Sequence, residues 1–205
     1  MIGIIDYGMG NLRSVYNALD YVGLDAEIVG DAERLADYDH LILPGVGAFA
    51  LAMQNLHSKN LVTPIREYIA AGKPFLGICL GMQLLASRGI EFGDSEGLNA
   101  VPGEVVPMDD LKEFPVPHVG WNNLEIVRNH PVYEGVKKDV DFYFVHSYHF
   151  QTPSDEWVIG TTDYGSRVVA AVAKGSVVGF QFHPEKSQAG GIALLENFAN
   201  WDGSC

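Results

Sequence analysis

The chain has little cysteine, little positive charge and no long apolar run. Only Cys79 and Cys205 are cysteines among its 205 residues. A disulfide framework is therefore not expected, and a free thiol suits a reducing cytoplasm. Lys and Arg number 13 against 26 Asp and Glu, for a net charge of −13. No basic stripe is present to neutralise phosphates, which argues against a nucleic-acid partner. The apolar stretch from Leu41 to Met53 is broken by Pro44 and glycines and is too short to span a bilayer. The opening Met1-Ile2-Gly3-Ile4-Ile5-Asp6 has no basic segment before it, so no signal peptide is expected. There is no internal repeat and no low-complexity segment. What is present is an ordinary globular apolar fraction, 47%, in a length that suits one domain over residues 1–205.

The first half alternates strand and helix. Met1 to Asp6 reads as a strand, and Leu12, Val15, Tyr16, Leu19 and Val22 fall on one helical face that Gly23 ends. Ala26 to Val29 and Leu41 to Leu43 read as strands, and Ala48 to Leu56 as a helix. Thr63 is placed to cap a further helix, with Pro64 in its first turn and Gly72 past its end. Phe75 to Cys79 is a fourth strand. This alternation predicts an α/β fold with a central, mostly parallel sheet flanked by helices. After about Gly97 short β-rich runs dominate: Asn123 to Arg128, Asp141 to Phe150, Trp157 to Thr161, Val168 to Ala173 and Val177 to Phe182. They predict a largely antiparallel extension of the same domain. Gln188 to Trp201 closes as a helix.

Chemistry enters at Gly77-Ile78-Cys79-Leu80-Gly81. A cysteine between glycines, where a strand turns into the helix of Met82-Gln83-Leu84-Leu85-Ala86, has the form of a nucleophile elbow. Glycines are needed because such a turn leaves no room beside the nucleophile. The helix start would favour negative charge on sulfur, and the Leu80 N–H is placed to hold an oxyanion. A lone cysteine ending an apolar strand is usually a small buried hydrophobe. Only a base and an orienting group elsewhere distinguish the two.

Both lie in His183-Pro184-Glu185. Pro184 forces His183 to be extended, and residues two apart on an extended chain share a side, so Glu185 would meet the imidazole. Pro44-Gly45-Val46-Gly47 follows a buried strand whose C-terminal end would lie beside the elbow, and its backbone could aim a second N–H at an oxyanion. Gly8-Met9-Gly10 invites a dinucleotide-binding reading, but Arg13 occupies the third glycine position. His146 and His149 are three apart on a strand and face opposite sides, so no metal site is expected. Trp121 could be core, Lys186 a solvated surface charge, and Cys205 a passive exposed thiol.

The motifs Pro44-Gly45-Val46-Gly47, Gly77-Ile78-Cys79-Leu80-Gly81-Met82-Gln83 and His183-Pro184-Glu185, in that order, resemble the class I (triad) glutamine amidotransferases, whose fold is flavodoxin-like. Ile5-Asp6-Tyr7-Gly8-Met9-Gly10-Asn11-Leu12, Pro117-His118-Val119-Gly120-Trp121-Asn122, Tyr143-Phe144-Val145-His146-Ser147-Tyr148 and Glu185-Lys186-Ser187-Gln188 narrow the resemblance. They point to the branch that serves a (β/α)8-barrel cyclase in histidine biosynthesis. The resemblance implies a cytoplasmic glutaminase without a cofactor. It implies Cys79, His183 and Glu185 as the triad, and backbone groups of Leu80, Val46 and Gly47 at the oxyanion. Gln83, Tyr143, His146, Ser147 and Tyr148 would face glutamine. Asn11, Arg13, Trp121 and Lys186 would meet the barrel subunit. A glutaminase serving another acceptor, a stand-alone cysteine hydrolase and a non-catalytic subunit remain the alternatives.

Overall fold

A computed structural model describes residues 1–108, 114–137 and 140–204; Cys205 lies outside them. The first half contains β1 (Ile2–Ile5), α1 (Leu12–Tyr21), β2 (Ala26–Val29), β3 (His40–Gly45), α2 (Phe49–Ser58), α3 (Val62–Ala70), β4 (Phe75–Cys79) and α4 (Leu80–Leu84). Then come β5 (Arg88–Gly89), β6 (Ser95–Glu96), β7 (Glu104–Pro107), β8 (His118–Asn123), β9 (Glu125–Ile126), β10 (Asp141–His146) and β11 (Tyr148–Gln151). The chain ends with β12 (Val158–Asp163), β13 (Arg167–Lys174), β14 (Val177–Phe180) and α5 (Gln188–Asn200).

Eight strands form one sheet in the order β2-β1-β3-β4-β14-β13-β12-β9. The pairs from β2 to β14 are parallel, and β13, β12 and β9 continue antiparallel. The expected antiparallel extension is therefore partly this sheet. The rest is a β8–β10 ribbon and a small sheet of β11, β7, β5 and β6, in which β5 and β7 run parallel. Alternation along the parallel strands explains the two cores. Leu41, Leu43 and Phe75 face one side and pack with Phe49 and Met53 of α2 and Ile65 of α3. Ile42, Leu76 and Ile78 face the other and pack with Val15 and Leu19 of α1 and Leu194 and Phe198 of α5. A parallel strand is buried on both faces, which is why β1 and β4 read as unbroken apolar runs.

Thr63 does not cap α3. Asn60, at φ 56°, closes α2, and Leu61 is already helical and buried, so α3 begins without a side-chain cap. The Asp141 to Phe150 run is two strands, broken at Ser147, that belong to different sheets. Among the described residues no helix is long and apolar enough to cross a membrane.

Candidate active site

The nucleophile candidate sits at the last rung between β3 and β4, where Gly45 pairs with Cys79. Cys79 has φ 55° and ψ −111°, a conformation that L residues rarely adopt. α4 starts at the next residue. The strain is held by packing on both sides of the turn. A Cβ on Gly77 would lie 2.6 Å from the Gly81 carbonyl oxygen and 2.7 Å from the Met82 nitrogen, and one on Gly81 would overlap the Leu43 carbonyl oxygen. The elbow glycines are thus required by close backbone approach. The Cys79 sulfur is 3.8 Å from the Val145 carbonyl oxygen and 3.9 Å from Gln181 Nε2.

His183 reaches this point from the neighbouring strand. β14 ends at Phe180, and the extended His183 donates its N–H to the Tyr143 carbonyl at 2.9 Å. Its carbonyl accepts from Ser187 Oγ at 2.6 Å. His183 Nδ1 lies 2.8 Å from Glu185 Oε1, with the two side chains 3% and 2% exposed. The expected pairing forms, but by another route. Glu185 is on a 3-10 turn, Pro184–Lys186, so the chain curls back to the ring instead of continuing extended. A carboxylate only accepts, so Nδ1 carries the proton and Nε2 is left for the sulfur. Among the described residues Nε2 has no partner at full hydrogen-bond geometry, and Cys79 is the group whose interaction with the ring most favours its charged form. Burial disfavours the imidazolium, but the Cys79 sulfur and the Glu185 carboxylate more than offset it and carry the His183 pKa up to about 9.

A cavity of about 310 Å³ opens beside the sulfur. Val46, Gly47, Leu80, Gln83, His146, Ser147 and Tyr148 line it, together with Cys79. Four larger clefts, of about 490 to 870 Å³, lie away from the triad, so size alone would have pointed elsewhere. Residues 3–200 match the family described as "Glutamine amidotransferase class-I". The chain belongs to the class I glutamine amidotransferase family. It is 50% identical over 197 residues to "Imidazole glycerol phosphate synthase subunit HisH" of Aquifex aeolicus, covering 95% of this chain and 94% of the relative. The protein of that name from Rhodopirellula baltica is 48% identical over 200 residues, 97% of each chain. Among solved structures, "Structure of PurLQS from Thermotoga maritima" matches at a TM-score of 0.76 and 21% identity, covering 97% of each chain. A structure described as "Crystal structure of glutamine amidotransferase" matches at 0.75 and 20%, covering 98% of this chain and 99% of that one. These two establish a shared amidotransferase fold.

Of the residues expected to face glutamine, Gln83, His146, Ser147 and Tyr148 line the cavity and Tyr143 does not. β10 alternates, so Phe142, Phe144 and His146 are buried while Tyr143 turns to the opposite face. There its ring meets Trp121 edge-on at 5.9 Å, with Lys186 Nζ 5.8 Å from its centroid. Trp121 is 48% exposed, which rules out a core role. Asn11 caps α1, accepting the Ser14 N–H at 3.3 Å, and Arg13 stands exposed in its first turn, over Tyr16. α1, which Asn11 and Arg13 begin, packs against the Pro184–Lys186 turn.

Two residues outside the quoted motifs, Glu91 and Gln181, also belong here, as does Pro117 of the Pro117–Asn122 motif, which carried no site role. Glu91 lines the cavity and accepts the Phe49 N–H at 2.7 Å, capping α2 from outside. Pro117 forms part of the wall. Gln181, fully buried, bridges Gln83 and the Cys79 sulfur. Alternation along Val177 to Phe182 could have flagged Gln181, a polar residue in an apolar strand; nothing local marks Glu91. Among the described residues no three His, Cys, Asp or Glu side chains gather as a metal site.

Proposed function

We propose that this chain is the glutaminase subunit of an imidazole glycerol phosphate synthase, acting as one amidotransferase domain over residues 1–205. The observation that carries the reading is the buried His183–Glu185 pair beside a strained Cys79 elbow. Cys79 attacks the side-chain carbonyl carbon of glutamine. The oxyanion is held by the Leu80 N–H and one from the Val46–Gly47 backbone. His183 gives its Nε2 proton to the leaving ammonia, and Glu185 fixes the ring and stabilises its charge. Water, deprotonated by His183, then cleaves the thioester to release glutamate and restore the thiol. Glu91 is the carboxylate that lines the cavity and is suited to the substrate ammonium. The chemistry calls on no cofactor.

The ammonia passes to a (β/α)8-barrel cyclase subunit, in the cytoplasm. Trp121, Tyr143 and Lys186 form the exposed cluster suited to that partner, with Asn11 and Arg13 nearby. The test is glutamate release by the chain alone and with a barrel cyclase subunit and its nucleotide ligand. Weak release alone and a large rise in the complex are expected; strong release that the partner leaves unchanged points to an independent hydrolase. Cys79→Ala is expected to abolish release while the chain stays folded. Normal release by that variant would remove Cys79 as nucleophile.

A further inference from the structure

Two buried histidines outside the triad make hydrogen bonds that admit one arrangement of protons. The antiparallel register sets His118, at the start of β8, opposite His146, at the end of β10. His118 Nδ1 lies 3.0 Å from His146 Nε2, and His146 Nδ1 lies 2.9 Å from the Tyr148 carbonyl oxygen. Asn122 Nδ2 is 3.4 Å from His118 Nε2 and donates to the Asp163 carbonyl at 2.8 Å. The carbonyl only accepts, so His146 carries its proton on Nδ1. A neutral His146 then accepts at Nε2, so His118 donates from Nδ1. His118 in turn accepts at Nε2 from the Asn122 amide. Charge on either ring would set two N–H groups head to head. Burial favours the neutral rings, pushing His118 down to about 4 and His146 to about 3.

The chain of bonds continues into the glutamine cavity. The Tyr148 carbonyl also accepts from Gln83 Nε2 at 3.0 Å. Gln83 Nε2 donates its other proton to Gln181 Oε1 at 3.0 Å, and Gln181 Nε2 is 3.9 Å from the Cys79 sulfur. The connected groups run from Asn122, beside the exposed Trp121, to the nucleophile.

We propose that His118 and His146 are positioning residues for the glutamine cavity, a hydrogen-bond relay that runs from His118 through His146 to the Tyr148 carbonyl, where Gln83 converges as a second donor, and so ties the exposed β8 ribbon to the Cys79 site. The proposal rests on the glutaminase reading of that cavity. A histidine kept only for packing would need its ring, which stacks on Tyr164 at 3.9 Å and on Phe144 at 4.7 Å, and not its Nδ1 proton.

Two substitutions separate these roles. His118→Phe keeps a stacking ring and removes the donor. His118→Asn loses the ring and keeps an amide donor near the Nδ1 position. Glutamate release is measured in the complex with the cyclase subunit and its nucleotide ligand. His118→Phe is expected to raise the KM for glutamine roughly three- to tenfold, the worth of one net hydrogen bond, with a smaller change in kcat. His118→Asn should stay nearer the wild type. Nitrogen NMR of the ¹⁵N-histidine-labelled chain should show the Nδ1–H tautomer at both rings, where free histidine favours Nε2–H. An unchanged KM in His118→Phe, equal impairment in His118→Asn, or an Nε2–H tautomer at either ring overturns the proposal. If the wild-type complex released no glutamate, the glutaminase reading would fall, while the tautomers would still decide the relay.

Discussion

Gly77→Ala tests whether the elbow is held by backbone crowding. Gly77 has an ordinary φ, so alanine is conformationally acceptable there. On chain entropy alone the substitution would stabilise the fold by about 0.4–1 kcal/mol. Sterics act the other way. The new methyl carbon would lie 2.6 Å from the Gly81 carbonyl oxygen and 2.7 Å from both the Gly81 carbonyl carbon and the Met82 nitrogen. It falls roughly 0.7 Å short of ordinary contact with three backbone atoms of α4, none of which can rotate away. Overpacking of this kind costs about 1–3 kcal/mol, so the net change is destabilising. The first turn of α4 must lift from β4, and it carries the Leu80 N–H away from its place beside the sulfur. A displacement approaching 1 Å costs on the order of 10²-fold in rate. The assay pairs urea unfolding with glutamate release in the complex. Gly72→Ala is the control: nothing lies within 4 Å of its Cβ, and its φ of +76° makes the cost one of backbone strain, about 1–2 kcal/mol. The control should lose stability without losing kcat, and Gly77→Ala should lose both. A Gly77→Ala protein with wild-type midpoint and kcat would refute the crowding argument.

Glu185→Gln keeps the shape of the His183 partner and removes its charge. Its kcat should fall, by less than the roughly 10²- to 10⁴-fold expected of His183→Ala, and a harmless Glu185→Gln would mean that another group orients the ring. Stability should also fall in alkali. The folded His183 pKa of about 9 lies above an unfolded value near 6.5, so its contribution is complete below about pH 6.5 and is lost as pH rises through about 9. The loss is read from urea midpoints, and His183→Asn should flatten the alkaline decline; parallel curves would contradict it. On the acid side the neutral buried His118, His130 and His146 should erode stability as pH falls below about 6.5. Trp121→Ala should weaken cyclase binding roughly 10- to 100-fold by calorimetric titration; unaltered affinity would move the interface elsewhere.

The sequence by itself determined whatever depends on near neighbours along the chain. The apolar runs of β1 and β4, the glycines at 77 and 81, and Pro184 between a histidine and a glutamate are all local, and each has a local physical consequence. Tertiary structure decided which distant residues meet and on which face. Tyr143 and His146 read as one substrate-side segment, yet strand alternation sends Tyr143 to the exposed Trp121 side and His146 to the cavity. Glu185 reaches His183 because the chain turns after Pro184, which an extended reading of that tripeptide could not supply. His118 had no visible partner because its partner lies 28 residues away, across an antiparallel register that depends on where both strands begin. Glu91 caps a helix 42 residues earlier, and Gln181 reaches Gln83 from 98 residues on. Such contacts arise only once distant elements pack together, because hydrogen-bond partners are chosen by position in space and a local pattern specifies position only along its own element.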